Sequence, residues 1–141
     1  MRLSQFTDIG LKSIMYLKQA SQLVTIDEIA NQFKIPRNHL VKVLNFMMHK
    51  EWIFSTRGRN GGMLYNIKSD DLKLGDVIAV LENKDELLDC DNCVLGFDCH
   101  LRGILKKAMN VFYDSLNQYT LKELNNDRTK EFIIKMINIK N

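Results

Sequence analysis

Three cysteines, Cys90, Cys93 and Cys99, fall within ten residues in the spacing C-x2-C-x5-C, and His100 follows at once. Thiolates are preferred donors for soft metal centres, and three of them in one loop can converge on one centre. The same residues admit other chemistries. Three thiols plus His100 form a mixed donor set of the kind zinc takes, and Cys90 with Cys93 could cycle between dithiol and disulfide. Free cysteine is also a common small apolar filler, although Asp89, Asp91, Asn92 and Gly96 make these surroundings polar and turn-forming. Spacing alone leaves these readings open.

A second set of residues has the chemistry to read a duplex. Asn38, Lys42, Asn45 and His49 recur at i, i+4, i+7 and i+11, with Arg37 and His39 at the beginning of the same stretch. On a helix Asn38, Lys42, Asn45 and His49 share one face. Asn can bond adenine bidentately, Arg can do the same with guanine, and Lys neutralises phosphate, which suits the major groove. A polar helix face is ordinarily just solvated, so the context decides. Downstream, Arg57-Gly58-Arg59-Asn60-Gly61-Gly62 is a hairpin tip whose glycines permit positive φ, leaving Arg57, Arg59 and Asn60 to project toward phosphate or the minor groove. It lacks both the Walker lysine pattern and a following helix, which excludes a nucleotide-binding loop.

The elements that must position these residues follow from periodicity. Phe6, Ile9, Gly10, Ser13, Ile14 and Leu17 mark one face of a first helix that fades near Ala20-Ser21. Thr25-Ile26-Asp27-Glu28 fits a capping box opening a short second helix with Ile26, Ile29, Ala30 and Phe33 inward. Lys34-Ile35 then turn into Pro36, placed at the first position of a third helix. Leu40, Val43, Leu44 and Met47 form the core face of that helix, opposite the polar one. This is helix-turn-helix order. Residues 52–56 and 63–67 read as two strands flanking the hairpin tip. Ser69-Asp70-Asp71 looks like a helix start, Leu74–Leu81 supplies a short apolar helix, and another helix runs from Leu101 to about Tyr119. On the last one Leu101, Ile104, Leu105, Ala108, Val111, Phe112, Leu116 and Tyr119 form an apolar stripe needing a partner. A second copy is expected to cover it, as a palindrome requires, with packing against the first helix as the competing use. Residues 120–141 begin helix-like and end polar, with a last short helix around Phe132–Ile139.

The expected fold is mainly α, a winged helix-turn-helix with a two-stranded wing and a long C-terminal dimerisation helix. Its divisions are a DNA-binding domain 1–68, a short helix and cysteine-bearing loop 69–100, a dimerisation helix 101–124 and a C-terminal tail 125–141. Composition agrees: 45% hydrophobic and 26% charged residues exclude disorder, and one proline among 141 residues favours helix. The net charge of +3 hides a split, because residues 1–68 carry ten Lys+Arg against four Asp+Glu and residues 69–125 carry six against eleven. The basic half is the one expected to meet a polyanion. The start Met1-Arg2-Leu3-Ser4-Gln5 has no signal-peptide run and no segment approaches the ~18 apolar residues of a membrane span. The expected location is therefore the cytoplasm, where structural disulfides are disfavoured.

The runs Leu3-Ser4-Gln5-Phe6-Thr7-Asp8-Ile9-Gly10, Pro36-Arg37-Asn38-His39-Leu40-Val41-Lys42-Val43 and Arg57-Gly58-Arg59-Asn60-Gly61-Gly62, with Leu74-Gly75-Asp76-Val77 followed by three cysteines, resemble the NsrR/IscR family of bacterial repressors. The likeness covers residues 1–120, and Arg-Asn-His-Leu-Val-Lys points to its nitric-oxide-sensitive NsrR branch. The resemblance implies a homodimer holding one iron–sulfur cluster per subunit, 4Fe–4S favoured over 2Fe–2S, with zinc as a lesser alternative. It implies Cys90, Cys93 and Cys99 as ligands and Asp8 of the partner subunit as the fourth. An oxygen donor there is weak and exchangeable, which leaves that iron open to nitric oxide. Two departures stand out: the first cysteine gap is shorter than the family's, and Arg102 occupies the place where IscR-like members carry a histidine.

These expectations describe a regulator whose damaged cluster releases a palindromic operator, with a cluster-free thiol or zinc regulator as the alternative. An enzyme using the cysteines as nucleophiles lacks a placed base, and a cluster carrier has no need of a basic winged helix. Arg37→Ala and Asn38→Ala are each expected to abolish sequence-specific, salt-dependent duplex binding in a gel-shift titration while leaving any bound cluster's absorbance unchanged. Unchanged binding would remove the third helix from the reading surface.

Overall fold

The computed structural model describes residues 1–83 and 86–140. Helix α1 (Gln5–Leu17) starts at Ser4, whose hydroxyl accepts from the Thr7 amide, and buries Ile9, Gly10, Ser13, Ile14 and Leu17 of the expected face. Helix α2 (Ile26–Phe33) is capped by Thr25, which accepts from the Glu28 amide at 3.2 Å. Lys34 then takes the left-handed conformation (φ 53°), which ends α2 and reverses the chain. Helix α3 (Arg37–His49) buries Leu40, Val43, Leu44 and Met47, as its periodicity requires. Pro36 is the residue before the helix rather than its first, and its carbonyl accepts from the His39 and Leu40 amides.

Strands β1 (Ile53–Thr56) and β2 (Gly62–Tyr65) pair antiparallel with Ile53 opposite Tyr65 and Thr56 opposite Gly62. Both are shorter than the expected 52–56 and 63–67. The Trp52 amide is taken by Met47 at the end of α3, and Ile67 begins a 3₁₀ turn (Ile67–Asp71). A bridge between Val24 and Met63 adds a third, single-residue rung that alternation could not reveal. Ser69-Asp70-Asp71 belongs to the 3₁₀ turn and does not open a helix; α4 spans Leu74–Glu82. Helix α5 (His100–Leu116) ends earlier than Tyr119, where Asn117 exchanges hydrogen bonds with Asp76 of α4. The C-terminal stretch holds a further 3₁₀ turn (Leu121–Glu123) and a 14-residue helix α6 (Asp127–Lys140), longer than the short helix expected.

One core joins these elements. Ile14, Leu17, Ile29, Leu40, Leu44, Met47 and Ile53 are buried between α1, α2, α3 and the wing, while Val77, Leu81, Leu121 and Ile133 extend the cluster to α4 and the C-terminal segment. Burying a side chain the size of Leu121 is worth about 1.5–3 kcal/mol. Its amide also donates to the Leu72 carbonyl, so the segment after α5 is fastened to the segment before α4. Helix α6 is not a loose tail: Gln32 of α2 donates to the Met136 carbonyl, and Asn125 donates to the Met15 carbonyl of α1. Helix α5 is the exception, since none of its residues is buried within the chain. No helix among the described residues is long and apolar enough to cross a membrane.

A charged node ties the wing to α1. Lys18 Nζ donates to Asp70 Oδ1 at 2.5 Å, Tyr65 Oη donates to the same oxygen at 2.9 Å, and Lys18 sits 4.7 Å from the Tyr65 ring centroid. Burial pushes the Asp70 carboxyl up, but the hydrogen bonds from Lys18 and Tyr65 and the Lys18 charge outweigh it, leaving it below its ordinary value. A depressed carboxylate contributes stability that is complete above its unfolded pKa and is lost as pH falls through the folded one. The side chains are only 8% and 18% exposed, so removing one partner strands the other. Asp70→Ala is expected to cost on the order of 3 kcal/mol in urea unfolding at pH 7. The difference from wild type should shrink as the pH falls below ~4; a constant difference down to pH 2 would show that the ion pair is not its source.

Candidate functional site

Two surfaces carry the chemistry. On the first, α3 presents Asn38, Lys42, Asn45 and His49 to solvent on the side opposite Leu40 and Leu44, and Arg37 is exposed as the first residue of the helix. His39 differs from the others because it is half-buried and its Nδ1 is enclosed without a hydrogen-bond partner. Arg37 is also not a free cation: its Nε donates to Asp27 Oδ1 of α2 at 3.0 Å. At the hairpin tip Arg57, Arg59 and Asn60 are exposed, and Gly58 adopts φ 112°, a conformation side chains rarely take. The Gly61 amide closes the tip by donating to the Gly58 carbonyl at 3.0 Å. Basic and amide side chains therefore stand on a helix and on a wing held by one small sheet.

The second surface is the loop between α4 and α5. Cys90 and Cys99 are half-buried, Cys93 is exposed, and all three are free thiols. Successive turns shape the loop: the Cys93 amide donates to the Cys90 carbonyl, Gly96 to Cys93, and Asp98 to Leu95. The Asp89 carboxylate accepts from the Asn92 side chain. Cys99 immediately precedes α5, whose unpaired amides make that end favourable to negative charge. The loop's apolar side chains Val94, Leu95 and Phe97 are exposed.

The base of the loop is held by a cluster that sequence reasoning missed. Arg102 pairs with the Glu86 carboxylate through Nε and a terminal nitrogen, and its guanidinium lies 4.6 Å from the Phe97 ring centroid. The Cys90 thiol also donates to Glu86, and that carboxylate, followed by desolvation, pushes the thiol above its usual range. Arg102 thus joins the start of the loop to its end. Charges sixteen residues apart carry no sequence signal that they will meet.

The donor set suits a thiophilic centre: three thiols with no disulfide, in a loop with no core of its own. Among the described residues, no three His, Cys, Asp or Glu side chains close on a common point. His100 is exposed at the start of α5. Asp8 is exposed on α1 and pairs with Lys12 at 2.6 Å. In metal-free protein, alkylation of Cys90 followed by mass spectrometry is expected to show a midpoint pH above that of an ordinary thiol. Glu86→Gln should lower that midpoint and speed the reaction at neutral pH. Equal midpoints in the two proteins would show that Glu86 does not act on the thiol.

The comparisons with known proteins agree with this geometry. Residues 3–127 match the family model Rrf2, described as an iron-dependent transcriptional regulator. The chain is 32% identical over 142 residues to the HTH-type transcriptional regulator NsrR of Bacillus licheniformis, covering 94% of this chain and 99% of that protein. It is 34% identical over 131 residues to the regulator of the same name from Oceanobacillus iheyensis, covering 88% and 89%. Its fold matches the oxidized form of Staphylococcus aureus CymR with a TM-score of 0.67 at 20% identity, covering 88% of this chain and 95% of that one. It matches T. potens IscR with a TM-score of 0.67 at 21% identity, covering 88% and 85%. The matched relatives are regulators rather than enzymes, and the solved neighbours carry the winged-helix architecture. This chain belongs to the Rrf2 family of transcription regulators.

Proposed function

We propose that this regulator is a cytoplasmic, homodimeric DNA-binding repressor of the NsrR type. It holds an iron–sulfur cluster, 4Fe–4S in kind, on Cys90, Cys93 and Cys99, and it releases DNA when nitric oxide damages that cluster. The observation that carries this reading is the placement of three unpaired thiols at the foot of a helix whose apolar face the chain leaves uncovered. It stands in a chain resembling NsrR over nearly its whole length.

Leu101 and Val111 on α5 are 50% and 68% exposed, with Ile104 also open. An apolar stripe of this length is costly in water, and a second copy laid against it buries both stripes at once. The same two-fold axis sets two α3 helices and two wings at a fixed separation, which is what a palindromic duplex demands. Arg37, Asn38, His39, Lys42 and Asn45 read the major groove in this arrangement, while Arg57, Arg59 and Asn60 reach phosphate or the minor groove. Asp8 of the partner subunit is the proposed fourth ligand, which requires it to leave Lys12. Bound to these residues, the cluster would supply iron open to nitric oxide at its oxygen-ligated corner. The protein's part is mechanical: the loop joins α4 to α5 directly, so rearrangement at the thiols shifts the helix that sets the spacing of the two readers.

Anaerobically purified protein is expected to be brown, with about four irons and four sulfides per chain, to bleach on titration with nitric oxide, and to lose operator affinity in parallel. Serine at Cys90, Cys93 or Cys99 should prevent cluster retention without lowering helix content by circular dichroism. A colourless zinc protein would support the alternative zinc reading. Reversible loss of DNA binding on Cys90–Cys93 oxidation would support the thiol switch, and either result would remove the cluster.

A further inference from the structure

The turn at Lys34 folds α3 back so that Arg37, its first residue, meets Asp27 in the first turn of α2. A guanidinium can present two parallel N–H donors to a guanine edge in two ways: side-on, using Nε and one terminal nitrogen, or end-on, using both terminal nitrogens. Asp27 Oδ1 occupies Nε at 3.0 Å, so only the end-on pair is left for a base. Among the described residues, the neighbouring cations Lys42, Arg57 and Arg59 form no ion pair. Arg37 is thus singled out within the basic surface.

We infer that Asp27 is a specificity-determining positioning residue, which holds Arg37 end-on toward a guanine and stops it from following the phosphate backbone. This rests on the DNA-reading function proposed above and adds a residue to it. The side chains of Arg37 and Asp27 are 62% and 71% exposed, so the pair is loosely held in free protein. Against a duplex, water is displaced and the local dielectric falls, which tightens the same contact. The carboxylate also opposes phosphate everywhere along DNA. It therefore weakens non-specific complexes while aiming the arginine in the specific one, so both effects widen discrimination.

The test is selection from a random-sequence duplex library by the anaerobically purified protein and its Asp27→Ala, Asp27→Asn and Arg37→Lys variants. Salt titrations on an unselected duplex accompany it. Wild type should select sites with a guanine that Asp27→Ala and Arg37→Lys both cease to require, other positions being kept. Asp27→Ala should bind the unselected duplex several-fold tighter, with a log–log salt slope steeper by about one. Asp27→Asn, which keeps the acceptor and removes the charge, should retain the guanine and steepen the slope. The inference is overturned if Asp27→Ala selects wild-type sites, or if it weakens every position equally, as a merely structural role would. Should Asp27→Ala fail to fold, an unchanged salt slope for Asp27→Asn overturns it as well. If wild type selects no sequence, the DNA-reading function itself falls, and the inference with it.

Discussion

Helix α4 touches α1 and α5 at van der Waals limits, and the placement of the cysteine loop between them depends on those contacts. A Cβ on Gly10 of α1 would lie 3.2 Å from both Leu81 methyls and 3.5 Å from Val43. A Cβ on Gly75 of α4 would lie 2.3 Å from the Tyr113 carbonyl of α5 and 2.4 Å from Asn117 Oδ1. The absence of a side chain at these two positions brings backbones close enough for α1, α4 and α5 to pack as one stack. The Ser4 amide donates to Glu82 Oε1 at 2.6 Å, so the last residue of α4 also holds the start of α1. The cysteine loop leaves from the end of α4 and re-enters at α5. A displacement at the thiols therefore acts on close-packed helices with little room to absorb it.

The reading surface is held from the other direction. The wing hangs between the Val24–Met63 bridge and the Lys18–Asp70–Tyr65 node, so α1 anchors the strands at one side while α3 feeds them at the other. The C-terminal segment adds a further brace, because Gln32 of α2 donates to the Met136 carbonyl of α6 and Asn125, just before α6, donates to the Met15 carbonyl of α1. What stays unbraced within one chain is the outer face of α5 and the apolar tip of the cysteine loop. Reader and scaffold are cross-braced within the chain, and the sensor end is open to solvent.

Sequence reasoning read the helices well where burial has a strong period. Leu40, Val43, Leu44 and Met47 lie on the core side, so Asn38, Lys42, Asn45 and His49, half a turn round the helix, must face outward. Thr25 was equally legible, because a hydroxyl before an apolar run has a local partner three residues on, whereas the cap at Ser4 was not read from the sequence. Boundaries set by distant partners were not legible. Trp52 leaves its strand for Met47, Ile67 leaves its own for a 3₁₀ turn, and α5 stops where Asn117 finds Asp76.

Composition, period and cysteine spacing determined that this chain is a mainly helical winged-helix regulator with a thiol-rich loop, because each of those features is a local pattern that repeats within a few residues. Tertiary structure decided which charges meet: Asp27 with Arg37, Glu86 with Arg102 and Cys90, and Lys18 with Asp70. It also decided that α6 is tied to α2 through Gln32, that Asn125 ties its approach to α1, and that α5 buries none of its residues within the chain. Ion pairs and helix docking act through space across ten to a hundred residues, and their partners are chosen by how the backbone folds rather than by what lies beside them in the chain.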